Sequence, residues 1–245
     1  MIKNSYLQPI IKSVKNIVHS MGFDVVLYDI YHSQDKLLAR VIREFGVATV
    51  FDIGANIGQY GKELIQHGFT GEIHSFEPIP SVYQNLLKNS KKYTNWNVYN
   101  LGMGSKEEEV MMNISENFVS SSILKVGEAS LSAEAKTKTT HQEKIKITKL
   151  DTFLESRVVP KEILLKLDVQ GYEMEALKGS IGYLSQIKVI QVELSFTEIY
   201  EGAPLYDEII SFLKSHGYEI FSIIPGFRDE RSGRMLQADG LFVKM

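Results

Sequence analysis

The chain of 245 residues has no cysteine. Disulfides, zinc–thiolate sites and thiol nucleophiles are therefore excluded, and a reducing, cytoplasmic setting is the expectation. No stretch reaches the roughly 18 apolar residues of a membrane span. The N-terminus also lacks the charged-then-apolar pattern of a signal peptide, so no integral membrane association is expected. Positive charge is in short supply: 27 Lys and Arg against 30 Asp and Glu leave a formal net charge of −3. Without a basic field, nucleic acid is not an expected partner. The six histidines show no metal-ligand spacing, so no metal site is expected. What is present is ordinary globular composition, 44% hydrophobic and 23% charged, in a chain long enough for a substantial core.

Helical spacing of Ile10, Ile11, Val14, Ile17, Val18 and Met21, with Lys12, Lys15 and Asn16 mostly between them, predicts an amphipathic helix. Its apolar face is suited to packing on the domain or on a second subunit, which offers a route to a homo-oligomer. A second helix is predicted from Gln34 to Phe45. Residues 1–45 thus read as an N-terminal helical extension and 46–245 as the main domain.

In the main domain, apolar runs alternate with helical stretches. Predicted strands are Ala48–Ile53, Glu72–Phe76, Asn97–Leu101, Ile163–Asp168, Lys188–Leu194, Glu219–Ile224 and Gly240–Lys244. Predicted helices include Ile57–His67, Pro80–Ser90 and Leu205–His216. This is the pattern of βαβ units in a mostly parallel α/β sheet of about seven strands. The last two strands have no helix between them and should pair as a hairpin. From about 107 to 147 the pattern weakens. Val110–Ile114 and Lys144–Ile147 read as extended segments around a Ser-, Thr- and Lys-rich stretch, Ser120–Thr140, expected to be an exposed loop or hairpin.

Open α/β sheets bind ligands beyond the carboxyl ends of their strands. Acids cluster there: Asp52 in the first strand, then Glu77, Asp168 and Glu193. The loop Gly54-Ala55-Asn56-Ile57-Gly58 puts Asn where a dinucleotide fingerprint needs its second glycine. A ligand without a pyrophosphate is indicated. S-adenosylmethionine (SAM) is one, since its ammonium and sulfonium suit carboxylates and its ribose hydroxyls suit Glu77. A nicotinamide-dependent oxidoreductase is the competing reading. A SAM-binding module without catalysis is another.

Three stretches carry a family resemblance: Phe51–Tyr60, Phe76-Glu77-Pro78, and Leu165–Glu173 with its Lys-x-Asp-x-x-Gly-x-Glu spacing. Together with Asn100–Gly104 and Ala238–Val243, they resemble the FkbM-type methyltransferase family from about residue 48 to the C-terminus. The resemblance implies the class I methyltransferase sheet, with an antiparallel last strand, and SAM-dependent O-methylation of a sugar, glycan or related small-molecule hydroxyl. It also implies that Asp52, Gly54, Asn56 and Gly58 hold the methionine part of SAM, Glu77 the ribose, and Gly102 and Met103 the adenine.

Methyl transfer needs alignment of nucleophile, methyl and sulfur, and a poor nucleophile gains from a base. Asp168 is the first candidate near the reacting centre. Lys166, two positions earlier on the same strand face, is placed to pair with it or to steady a developing alkoxide. Glu193 is the second candidate base and His141 a weaker third. Acceptor specificity is expected in Ser120–Thr140 and in Ser195–Tyr200, with Phe196, Tyr200 and Tyr206 as candidate sugar platforms.

Overall fold

The computed structural model describes residues 8–25, 33–158 and 162–244. The chain divides between residues 40 and 41 into two compact units. In the first, the predicted amphipathic helix is α1 (Gln8–Ser20), with Ile10, Val14 and Ile17 exposed along one face and Met21 just beyond its end. It stops where Gly22 takes φ +84° and Phe23 N–H returns to Val18 O. The second predicted helix is α2 (Gln34–Glu44), which crosses the division. Residues 1–7 and 26–32 of the expected 1–45 extension lie outside the described residues.

The second unit begins its sheet with β1 (Thr49–Ile53), followed by α3 (Gln59–Gln66), β2 (Glu72–Phe76), α4 (Pro80–Ser90) and β3 (Trp96–Tyr99). Next come β4 (Gly102–Met103), β5 (Glu108–Ser115), α5 (Glu128–Ala133), β6 (Thr139–Thr148) and α6 (Leu150–Leu154). The unit closes with β7 (Ile163–Leu167), α7 (Glu173–Lys178), β8 (Ile187–Ser195), α8 (Tyr206–Ser215), β9 (Tyr218–Pro225) and β10 (Gln237–Lys244). Seven strands form the main sheet in the order β3-β2-β1-β7-β8-β10-β9. β10, the last strand of the chain, runs antiparallel between β8 and β9, while β3, β2, β1, β7 and β8 pair in parallel. The mostly parallel α/β sheet with one antiparallel strand is the architecture read from the sequence. Both faces of its central strands are covered, so all five residues of β1 and of β7 are buried and, apart from Thr49, Asp52 and Lys166, apolar.

Two features differ from expectation. The third strand ends at Tyr99 instead of reaching Leu101, because Asn100 turns the chain by donating its side-chain amide to both Glu77 O and Pro78 O at 2.9 Å. Gly102 and Met103 then leave the main sheet and join a second, three-stranded sheet of order β4-β6-β5. The Ser- and Thr-rich insertion is also more ordered than a loop. It contains α5, and Ser121, Ser122, Ser130 and Thr137 are buried. Short hydroxyl side chains can go inside when each finds a partner, as Ser122 does by donating to Gln170 O at 2.6 Å.

Candidate active site

A cleft opens past the carboxyl ends of β1, β2 and β7. Its floor is made by Ile53, Gly54, Asn56 and Glu77 on one side and by Asp168, Val169 and Gln170 on another. The insertion forms the facing wall with Met112, Phe118, Val119, Ser121, Ile123, Ile145 and Ile147, and Gly102 and Met103 lie beside it. Of the predicted cofactor residues, Gly54, Asn56, Glu77, Gly102 and Met103 therefore line one cavity.

The glycine loop builds this floor from the backbone outward. Gly54 has φ +77°, and a Cβ there would fall 1.9 Å from Asp168 O, so only glycine lets β1 and β7 end this close together. Its N–H and that of Ala55 both donate to Phe76 O, which binds the loop to β2. Asn56 holds φ +50°, with its side-chain oxygen accepting from Ile57 N–H at 2.7 Å. Gly58 plays a different part: at φ +91° it packs under Trp96 and Leu86 and is not among the described cleft-lining residues.

Glu77 is 5% exposed, and both its carboxyl oxygens are held by backbone donors, Ile79 N–H at 2.8 Å and Asn56 N–H at 2.9 Å. Each oxygen keeps a lone pair for the cleft. Burial raises its pKa to about 7, against the two backbone hydrogen bonds that lower it.

Parallel register sets Asp52 directly opposite Lys166. Asp52 is fully buried behind the cleft wall, where one oxygen accepts from Ser75 Oγ at 3.0 Å and the other lies 3.2 Å from Lys166 Nζ. The same ammonium lies 3.4 Å from Asp168 Oδ2 and donates to Gly54 O at 3.3 Å. Burial alone would pull the Lys166 pKa down; the Asp52 and Asp168 carboxylates outweigh it and the net shift is upward. Lys166 is thus a buried, permanently charged tie between β1 and β7. Asp168 is the more accessible partner, its side chain 41% exposed on the cleft floor.

Gln170 joins these groups to the rest of the site. Its amide nitrogen donates to Asp168 Oδ1 at 2.6 Å and to Glu193 Oε2 at 3.3 Å, and its amide oxygen accepts from Tyr200 O–H at 2.6 Å. Glu193 stands behind Gln170, outside the described cleft lining, and accepts from Gln237 Nε2 at 2.6 Å. Burial, with the Asp168, Glu173 and Asp239 carboxylates nearby, pushes its pKa well up. Glu173 is buried too, accepting from Gly171 N–H at 3.1 Å and Val169 N–H at 3.2 Å, and burial raises its pKa to about 7.

Other expected contributors stand elsewhere. His141 is exposed on β6, within reach of Thr140 and Glu143. Tyr200 is 1% exposed and cannot present its ring to a ligand; its hydroxyl serves Gln170 and Ser120 O instead. Phe196 and Tyr206 pack on each other, centroids 5.2 Å apart, and neither is among the described lining residues. Conversely, Gln170, Gln237 and the wall residues Met112, Phe118 and Val119 were not singled out by sequence. Gln170 sits inside the Lys166–Glu173 motif and was open to notice there. Gln237 has no local signal, because only the antiparallel β8–β10 register brings it to Ser195 and Glu193.

The chain is 26% identical over 179 residues to the hexuronic acid methyltransferase AglP of Haloferax volcanii, covering 70% of this chain and 69% of that one. Among solved structures it is similar to precorrin-6y C5,15-methyltransferase from Geobacter metallireducens, at 12% identity and a TM-score of 0.47, covering 90% of this chain and 94% of that one. It is also similar to magnesium protoporphyrin IX methyltransferase from Synechocystis with bound SAM, at 11% identity and a TM-score of 0.46, covering 96% of each chain. The model of the FkbM methyltransferase domain matches residues 52–220, so the chain belongs to the FkbM family of SAM-dependent methyltransferases.

Proposed function

We propose that the chain methylates a hydroxyl of a sugar, glycan or related small molecule, with Asp168 at the reacting centre. The observation carrying this reading is the Asp168 carboxylate on the cleft floor, fixed on one oxygen by Lys166 and on the other by Gln170. When bound, SAM supplies an activated methyl group that needs no further activation by the protein. The chain's own task is alignment and proton handling. In this reading Glu77 takes both ribose hydroxyls on its free lone pairs, Gly102 and Met103 flank the adenine, and Gly54 and Asn56 support the methionine end. Asp52 and Gly58 act from behind, Asp52 by holding Lys166 and Gly58 by seating the loop on Trp96. Asp168 orients the acceptor hydroxyl and receives its proton as the O–CH3 bond forms and the S–CH3 bond breaks. Lys166, held 3.4 Å from Asp168, steadies the charge there. Glu193 works through Gln170 and not by contact.

Replacing Asp168 by Asn keeps the shape, removes the proton acceptor and turns one of the two accepting oxygens into a donor facing Lys166 or Gln170. It is expected to lower kcat by roughly 10²–10⁴-fold with the fold intact. Turnover within twofold of the parent, measured with labelled SAM, removes Asp168 from this role.

The relative from Haloferax volcanii, named for hexuronic acid, supports a sugar acceptor. The net charge of −3 speaks against nucleic acid. No described helix is long and apolar enough to cross a membrane, and the absence of cysteine supports a cytoplasmic setting. The exposed Ile10, Val14 and Ile17 stripe on α1 supports self-association. An Ile17→Lys variant should then sediment as a smaller species than the parent; identical sedimentation rejects the idea.

A further inference from the structure

The part of the cleft left for an acceptor has a chemical character that the family does not dictate. With Glu77 given to the ribose, Asp168 is the carboxylate left in it, and no Lys, Arg or His is among the described residues that line the cleft. The nearest cation, Lys166, is buried and already lies between two acids, 3.2 Å from Asp52 and 3.4 Å from Asp168. Behind the floor stand more acids. Glu193 and Asp239 are direct cross-strand partners on β8 and β10, and Glu173 caps the turn after Asp168. A negative group beside the reacting hydroxyl would meet the Asp168 carboxylate with no Lys, Arg or His among the described lining residues to pair with it.

The opposite wall is apolar. The insertion contributes Met112, Phe118, Val119 and Ile123, with Phe118 and Val119 at 44% and 58% exposure on the rim. Phe118 holds φ +59°, a strained backbone for an aromatic residue, in a turn closed by Phe118 N–H to Ser115 O and Ser121 N–H to Phe118 O. Ser121 adds a neutral polar group to this wall and Gln170 adds one to the floor. Such a site binds a hydroxyl compound by one polar edge and one apolar face.

We infer that the acceptor subsite takes an uncharged hydroxyl compound with an apolar face, of the class of alkyl or aryl glycosides of neutral sugars, and rejects uronates. This rests on the O-methyl-transfer reading, and it parts this chain from the hexuronic acid for which its Haloferax volcanii relative is named.

The test uses two matched acceptors, octyl glucoside below its micellar concentration and octyl glucuronide, with the full-length protein. Methyl transfer from labelled SAM and calorimetric binding to the S-adenosylhomocysteine-loaded protein are both read. The glucoside should be favoured at least tenfold in kcat/KM and in affinity, and the preference should shrink as salt screens the carboxylates. In a Val119→Lys variant, the ratio of glucoside to glucuronide should fall severalfold as a cation joins the rim. Equal use of the two, or preference for the glucuronide, overturns the inference and leaves O-methyl transfer standing. If S-adenosylhomocysteine binds but neither glycoside binds nor is methylated, the sugar reading fails and the inference falls with it.

Discussion

Gln170 holds φ +53°, which costs a side chain with a Cβ on the order of 1–2 kcal/mol, yet four hydrogen bonds converge on it. Tyr200 O–H donates to its amide oxygen, and that choice turns both amide N–H groups toward Asp168 and Glu193. The residue thus fixes the rotamer of a carboxylate it does not replace. Gln170→Leu keeps the volume and removes both donors, leaving Glu193 with Gln237 and Asp168 with Lys166. We expect kcat to fall about ten- to hundredfold, with the acid limb of the pH–rate profile displaced. Tyr200→Phe should do the same more weakly, since only the orientation of the amide is loosened. A pH–rate profile superimposable on that of the parent would show that Gln170 is merely structural. This site was half legible in sequence. Acids at strand ends can be read from the chain, and of those read Glu77 and Asp168 line the cleft. Which acid lines the cleft depends on the pleat and on the neighbouring strand, and Asp52 and Glu193 are not among its described lining residues.

Among the elements, the junction of β1 with β7 sets the whole floor. The strands are in register from Thr49↔Ile163 to Ile53↔Leu167, and the chains meet again where Asp168 O presses on Gly54. A methyl group there must push the strand ends apart, because the opposing atom is backbone and cannot rotate away. Gly54→Ala should therefore cost roughly 2 kcal/mol or more, from the positive φ and the displaced carbonyl. For a domain of this size that is a fall in Tm of about 4–8 °C. The variant should also bind S-adenosylhomocysteine poorly, since Asn56 and Asp168 move with the turn. An unchanged Tm and unchanged affinity would contradict the close approach. The main-sheet strands were legible because buried parallel strands are unbroken apolar runs with polar ends. The second sheet was not. β4 is two residues long, too short to carry a periodicity, and its departure depends on Asn100 reaching backward to the Glu77–Pro78 turn. The insertion misleads for a related reason: serine and threonine report polarity, whereas burial is decided by hydrogen-bond partners distant in the chain.

At the scale of the whole molecule, the carboxyls buried around the cleft make ligand binding and stability depend on pH together. Glu77 and Glu173 ordinarily ionise near 4.5 but hold their protons to about 7 in the fold, chiefly because burial disfavours the charge. The folded, ligand-free protein then binds more protons than the unfolded chain between those values. Their contribution to stability is complete below pH 4.5 and is lost as pH rises through about 7. With Glu77 in the proposed ribose role, a nucleoside in the cleft acts on it in the opposite sense. Two ribose hydroxyls donating to its carboxyl favour the ionised form, so the ligand lowers this pKa and binding below about 7 must release a proton. Affinity for S-adenosylhomocysteine should accordingly climb from pH 5.5 to about 7, by up to about tenfold per unit, and then level off. The thermal shift produced by a fixed, saturating ligand concentration should grow over the same range. Calorimetry at pH 6 in buffers of different ionisation enthalpy should register the released proton. In Glu77→Gln the titrating group is gone: affinity should be weaker at pH 7.5 by roughly ten- to a hundredfold, as expected for lost charge-assisted hydrogen bonds, and nearly flat with pH. Glu173 has its oxygen turned to the backbone of Val169 and Gly171, so a Glu173→Gln change should alter the stability of the ligand-free protein and leave the pH dependence of binding in place. Were Glu77→Gln to retain the parent's pH-dependent affinity, the ribose contact would have to be assigned to another residue.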